Sequence, residues 1–256
     1  MQTRKRIAVA GATGRAGRHA VDVLRERGHD VVPMSRATGV DVITRDGLAA
    51  ALAGVDAVID AATGPSPEEE PATTFFTTVA RNLQDEGQRA GVRRIVGVSI
   101  ISTDKFAGGY GAAKVAHERA LQAGPVPARI LRAAQFHELV PQLMQWGRQG
   151  DVVYVPEMRI QPVAARAVGE ALADLATTDT PAPDSIPEIA GPREEQLVDL
   201  ARQLAARQGD TAQIQGVHDP NDAELYESGA MLPGPHATLA GPTFADWLEQ
   251  TYPVRT

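Results

Sequence analysis

Tyr110 and Lys114 are the residues whose types and spacing first suggest chemistry. In Tyr110-Gly111-Ala112-Ala113-Lys114 they stand four apart, which on a helix puts both on one face with Cβ atoms about 5–6 Å apart. An ammonium beside a phenol lowers its pKa, and such a phenol can give its proton to a carbonyl oxygen as hydride reaches the carbon. The same spacing is common on solvated helix faces, so position must decide. This helix directly follows an apolar strand, Arg94-Ile95-Val96-Gly97-Val98-Ser99. Ser99 ends that strand.

The second signal is Ile7-Ala8-Val9-Ala10-Gly11-Ala12-Thr13-Gly14-Arg15-Ala16-Gly17. A short apolar run predicts a buried strand, three glycines recur at every third position, and a helical pattern with Val21 and Leu24 follows. Strand, glycine turn and helix form the context of a dinucleotide-binding turn. Glycine lets backbone approach a pyrophosphate, and the helix N-terminus offers unpaired N–H groups and a positive dipole end.

Charge at the next strand end bears on cofactor choice. NAD sites usually place a carboxylate there to hold the ribose 2′-hydroxyl, whereas this chain has Ser35-Arg36. A guanidinium suits a 2′-phosphate, so NADP(H) is expected ahead of NAD(H), with Arg15 as a second clamp.

These groups need a frame, and the chain alternates strands and helices. Strands are expected at 30–36, 55–62, 94–99 and 127–132, and helices at 47–53, 73–90 and 110–123. Near-continuous apolar strands imply a parallel sheet covered on both faces, an α/β, doubly wound, Rossmann-type arrangement. Further on, helices are expected at 136–149 and 165–177, and a strand at 152–155. Residues 178–187, rich in proline and small polar residues, predict a linker. An amphipathic helix then carries Leu197, Leu200, Ala201 and Leu204, and 244–251 forms a last short helix. The expected division is a nucleotide-binding domain over 1–178 and a small lobe over 179–256 that roofs the cleft. Glu68-Glu69-Glu70 is expected in a solvated loop, His137 as an ordinary helical histidine, and Trp146 and Trp247 in packing.

Composition sets limits. The chain has 256 residues, 43% hydrophobic and 22% charged, a net charge of −7 and no cysteine. Disulfides, thiolate metal sites and thiol nucleophiles are therefore excluded, and no general affinity for nucleic acid or an anionic membrane is expected. Six histidines are scattered without metal-ligand spacing. No apolar run approaches spanning length and Arg4-Lys5-Arg6 precedes the first strand, so a cytoplasmic location is expected.

Gly11-Ala12-Thr13-Gly14-Arg15-Ala16-Gly17 resembles the glycine motif of atypical and extended short-chain dehydrogenase/reductases, in particular the NmrA-like branch. Gly54-Val55-Asp56-Ala57-Val58-Ile59-Asp60, Val92-Arg93-Arg94-Ile95-Val96 and Leu131-Arg132-Ala133-Ala134-Gln135-Phe136 look like later landmarks of that branch. The resemblance spans the first two-thirds of the chain. It implies cofactor contacts from Gly11, Thr13, Gly14, Arg15, Ala16 and Gly17, then from Ser35 and Arg36, and from Asp41 near the adenine. Ala61, Ala62 and Thr63 would line the cofactor, Lys114 would reach the nicotinamide ribose, and Gln135 would meet the carboxamide or substrate. It implies Tyr110 as acid/base. The family places a catalytic Ser or Thr just past the fourth strand, where this chain has Ser99-Ile100-Ile101-Ser102, so the resemblance implies Ser99 as the third catalytic member, or simply as the end of the strand.

The resulting expectation is an NADPH-dependent oxidoreductase acting on a small carbonyl compound or quinone. Quinones need less protein acid, which suits an incomplete triad. The alternatives are an NmrA-like redox sensor that binds NAD(P) without turnover and, ranked lower, a sugar-nucleotide epimerase or dehydratase. The expected partner is a small-molecule substrate, and monomer and homodimer both stay open.

Overall fold

The computed structural model describes residues 3–179, 185–220 and 222–253. Two compact units divide the chain, and neither is continuous: one holds Met1–Arg132 and Val168–Pro187, the other Ala133–Ala167 and Glu188–Thr256. The sequence reading instead divides the chain once, at 178. Chain order along the first unit is β1 (Arg6–Ala10), α1 (Arg15–Glu26), β2 (Asp30–Met34), α2 (Leu48–Leu52), β3 (Ala57–Asp60), α3 (Glu69–Ala90), β4 (Arg94–Ile100), α4 (Gly109–Gln122) and β5 (Ala128–Ala133).

These strands lie in the order β5-β4-β3-β1-β2. β1 pairs in parallel with β2 on one side and β3 on the other, and β3 with β4. The chain thus passes from β2 over β1 to β3, and the order reverses beside β1. In open sheets of this kind the ligand crevice lies beyond the strands' carboxyl ends at that reversal. Ile7, Ala8, Val9 and Ala10 are fully buried, as are Val58 and Ile59. Val79, Ala80 and Leu83 of α3 pack with Leu121 of α4 and with Leu48 and Leu52 of α2 over the sheet's apolar residues. This buried run is the principal source of the unit's stability.

The acidic run departs from the expected loop. Glu69 and Glu70 form the first turn of α3, where carboxylates meet the positive end of the helix dipole and Pro71 is tolerated because early N–H groups lack partners.

The chain continues with α5 (Val140–Trp146), β6 (Arg148–Gln149), β7 (Val152–Pro156), β8 (Arg159–Ile160) and α6 (Ala165–Thr177). The helix expected over 136–149 is shorter than predicted. It begins after a single turn of 3-10 helix and ends at Gly147, where a Cβ would stand 1.8 Å from the Tyr154 carbonyl oxygen. α6 matches its predicted limits. Its carbonyls at Leu175 and Thr178 accept from Arg94, and Thr177 accepts from Lys5 Nζ at 2.6 Å, cations placed at the negative end of the helix dipole. The predicted linker over 178–187 includes 180–184, which lie outside the described residues.

The last elements are β9 (Glu188–Ala190), β10 (Glu195–Gln196), α7 (Leu197–Gln208), β11 (Gln213–Val217), α8 (Ala223–Glu227), β12 (Thr238–Leu239) and α9 (Phe244–Thr251). The second unit contains a three-stranded sheet, β11-β7-β6. Its core joins Val153 and Val155 to Leu200 and Leu204 of α7 and to Phe244, Trp247 and Leu248 of α9. Trp247 packs as expected, but Trp146 is 62% exposed, because it is the last residue of a helix cut short at Gly147.

Candidate functional site

The β1–α1 turn is built by its glycines. Gly11 has φ +69°, and a Cβ there would lie 2.4 Å from the Ala61 carbonyl oxygen. A Cβ on Gly17 would lie 2.1 Å from the Gly11 carbonyl oxygen. The first glycine therefore lets β1 turn against the end of β3, and the third lets α1 pack onto that turn. At Gly14 an added Cβ would lie 3.1 Å from the Gly11 oxygen and 3.9 Å from the Ala61 oxygen, a tight but smaller conflict than at the other two glycines. Gly14 begins α1 with extended backbone and no side-chain cap, and the first turn holds no carboxylate. The N–H groups of that first turn point toward the helix's positive end, which suits an anion. Ala16 and Gly17 are buried, while Thr13 and Arg15 are exposed. These residues fit a dinucleotide's pyrophosphate.

Ala61 and Ala62 are buried directly after β3, and Thr63 is exposed. Past β2, Ser35 and Thr38 cap one turn of 3-10 helix: Ser35 N–H donates to Thr38 Oγ1 at 2.9 Å. Arg36 in that turn is exposed. Asp41 Oδ1 accepts from the N–H groups of Ile43 and Thr44 at 2.7 and 3.2 Å, so this carboxylate holds its own turn.

Ser99 is 2% exposed and its Oγ has no hydrogen-bond partner among the described residues. Ser102, three residues on, is buried with φ +59°. α4 then begins under an outside tether: Glu69 Oε2 of α3 accepts the Gly109 N–H at 2.7 Å. Tyr110 follows at once. Its ring stands edge-on to Phe76 of α3, with centroids 5.7 Å apart. Burial pushes its phenol above the usual range, opposed by the positive charge of Arg15.

Lys114 is held inward. It is 4% exposed, and its ammonium donates to the Val98 carbonyl at 2.8 Å, lies 3.0 Å from His117 Nδ1 and sits 4.2 Å above the Phe76 ring. Burial brings it down to about 8 against the opposing pull of Asp60 and Glu118. The expected lowering of the Tyr110 phenol by Lys114 is replaced by the Arg15 effect, because the Lys114 ammonium turns inward.

The inward contact ends in a group that the sequence reading missed. His117 Nε2 stands 2.8 Å from Asp60 Oδ2, each residue 1% exposed, and Asp60 Oδ1 accepts the Ala62 N–H at 3.1 Å. Burial pushes the Asp60 carboxyl up, yet its hydrogen bond and attraction to His117 carry it below the ordinary value. Burial and then Lys114 lower His117, with Asp60 opposing. Gly97 pairs with Asp60 in register, and a Cβ there would meet Leu121 Cδ1 at 2.4 Å; the missing side chain lets α4 approach β4. Two signals were available in sequence: a carboxylate ending an apolar strand, and the 110, 114, 117 spacing on α4.

In the second unit, Gln135 Oε1 is buried without a partner among the described residues. His137 opens the 3-10 turn His137–Leu139, a helical histidine as expected. It is buried between Phe244 and Trp247, and Nε2 meets the Pro242 carbonyl at 3.2 Å. Among the described residues no cluster of metal ligands occurs, and no helix is long and apolar enough to cross a membrane.

The profile of the NAD(P)H-binding family matches residues 11–138, half of the chain. The chain belongs to that family. No curated protein sequence matches it. Among solved structures it resembles a short-chain dehydrogenase/reductase superfamily protein from Agrobacterium tumefaciens with bound NAD, at 20% identity over 96% of each chain and a TM-score of 0.66. A UDP-N-acetylglucosamine 4-epimerase from Bacillus cereus is 17% identical over 96% of this chain and 94% of its own, with a TM-score of 0.69. A GDP-mannoheptose C4 reductase from Campylobacter jejuni with NADP bound is 15% identical over 85% and 88%, with a TM-score of 0.60. The fold is that of the short-chain dehydrogenase/reductase superfamily, as the NmrA-like glycine motif led us to expect. These proteins carry different chemistries on one fold, so reaction must be argued from the site.

Proposed function

We propose that this protein is an NADPH-dependent oxidoreductase that reduces a small carbonyl compound or quinone, most simply as a soluble cytoplasmic enzyme. The observation that carries the reading is the place of Tyr110, which opens α4 just past the carboxyl end of β4, in the same parallel sheet whose β1 feeds the glycine turn. A phenol at that edge of an open parallel sheet stands where such folds bind their ligand. The bound dinucleotide would supply hydride. Because burial holds Tyr110 protonated through neutral pH, it serves as a proton donor rather than as a base, which favours the reductive direction.

Gly11, Gly14 and Gly17, with the N–H groups of Arg15 and Ala16, would hold the pyrophosphate, and Thr13, Ala61, Ala62 and Thr63 would flank it. Arg36, exposed just past β2 with Ser35, would take the 2′-phosphate. Gln135, with a buried unpaired oxygen, has the donor and acceptor needed for a carboxamide. Ser99, whose hydroxyl is likewise unpaired, supports a role in holding substrate oxygen.

A second reading is a non-catalytic NAD(P)-binding sensor, favoured by the inward engagement of Lys114. Consumption of NADPH across a panel of quinones, aldehydes and ketones separates the two. Turnover supports the reductase, and tight NADPH binding without turnover of any member supports the sensor.

A further inference from the structure

The Asp60–His117–Lys114 chain is buried at every link, and its polar atoms are spent on one another. His117 Nε2 faces Asp60 Oδ2 at 2.8 Å while Nδ1 faces Lys114 Nζ at 3.0 Å. An ammonium cannot accept, so with Lys114 charged the imidazole must accept at Nδ1 and donate from Nε2 to the carboxylate. The opposite arrangement has equal proton count: the proton leaves Nζ for Nδ1, the ammonium becomes an amine, and the imidazole becomes an imidazolium that donates to both neighbours. Asp60 stays anionic in both, and no proton reaches solvent.

We propose that Asp60 and His117 are positioning residues that, with Lys114, form a buried proton relay setting where the positive charge resides on the Tyr110 face of α4. The inference rests on the reductase reading for its role in catalysis, though not for the relay's existence. Charged and titratable groups face Lys114 from more than one element. β3 supplies Asp60, and α4 supplies His117 and Glu118. Arg132 of β5 occupies Glu118 through two hydrogen bonds of 3.0 and 2.9 Å, and Asp104 shares that arginine. α3 presents only the Phe76 ring, which lies 4.2 Å below the ammonium and stacks on His117 at 5.0 Å. Glu118, shared with Arg132, pulls on Lys114 and His117 less than Asp60 does, so Asp60 is the principal carboxylate biasing the pair.

The relay is tested first without any reaction. Long-range proton–nitrogen spectra of histidine-labelled protein, free of cofactor, would be recorded across pH, with the His117 signals assigned by their loss in His117→Gln. The expected result is an Nε2–H tautomer at neutral pH and an Nδ1 signal that shifts with a midpoint near 8, as Lys114 loses its proton. That shift should vanish in Lys114→Met and move down by about one pH unit in Asp60→Asn, since the variant removes the nearby opposite charge. An Nδ1–H tautomer, or a His117 that titrates alone near its ordinary value, overturns the relay. The same Asp60→Asn protein is then assayed for NADPH-dependent turnover. The basic limb of kcat should move down with the Nδ1 transition, an effect that a purely structural aspartate would not produce. A limb that stays in place while the spectra shift overturns the catalytic role. If no substrate is turned over, the reductase reading fails and the spectra still decide the relay.

Discussion

Gly17 packs so closely on Gly11 that an added Cβ would stand 2.1 Å from its carbonyl oxygen. The contact is backbone to backbone, so no flexible side chain can yield. Gly17→Ala should destabilise the protein by about 1–3 kcal/mol, as overpacking does, measured by urea unfolding. Gly14→Ala is the contrast, with φ −75° and its nearest atoms 3.1 and 3.9 Å from the added methyl. It should cost under about 1 kcal/mol while weakening NADPH binding, because its methyl would stand where the pyrophosphate must approach.

Much of this arrangement was legible in sequence, for a local reason. Apolar run, glycine spacing and helical periodicity all act within about twenty residues, and β1, α1, α4 and α6 appear where those patterns place them. The Asp60–His117 pair was not legible, because 57 positions separate its members and only the β3–β4 register with Gly97 brings α4 over Asp60. Lys114 was identified, but its direction was not: spacing fixes the helix face, whereas burial and the Val98 carbonyl fix where the ammonium ends. Trp146 failed as a packing residue because the helix pattern ran past the stop that Gly147 imposes through contact with Tyr154.

Arg36 should decide between the two dinucleotides. It has no ion-pair partner among the described residues, so Arg36→Glu removes an available cation and adds a charge that repels a 2′-phosphate. The ratio of NADPH to NADH dissociation constants, read by nicotinamide fluorescence, should invert, with NADPH weakened about tenfold or more. An unchanged ratio would remove Arg36 from the 2′-phosphate site.

Glu69 tethers the start of α4 one residue before Tyr110. Glu69→Ala leaves the Gly109 N–H without that acceptor, at a cost of about 1 kcal/mol in stability. Turnover should fall more than NADPH affinity does, about tenfold in kcat, since proton donation depends on the phenol's placement. Equal losses in both would assign Glu69 to cofactor binding instead.

Lys114 makes stability depend on pH in a stated direction. Its folded pKa is lowered to about 8 from 10.5, so the folded state releases its proton before the unfolded state does. The burial penalty is full below about 8 and is relieved as pH rises toward 10.5, so this group's contribution to stability grows with pH in that window. Urea midpoints at several pH values should show a gain in wild type that Lys114→Met lacks; parallel curves for the two proteins would contradict the assignment.

The central claim is that Tyr110 delivers the proton in an NADPH-dependent reduction, and Tyr110→Phe tests it most directly. The substitution keeps the ring against Phe76 and removes only the hydroxyl. With a ketone or aldehyde turned over by wild type, kcat should fall by about 10²–10⁴, while NADPH affinity stays within about twofold. A variant that retains wild-type kcat on that substrate would contradict the account.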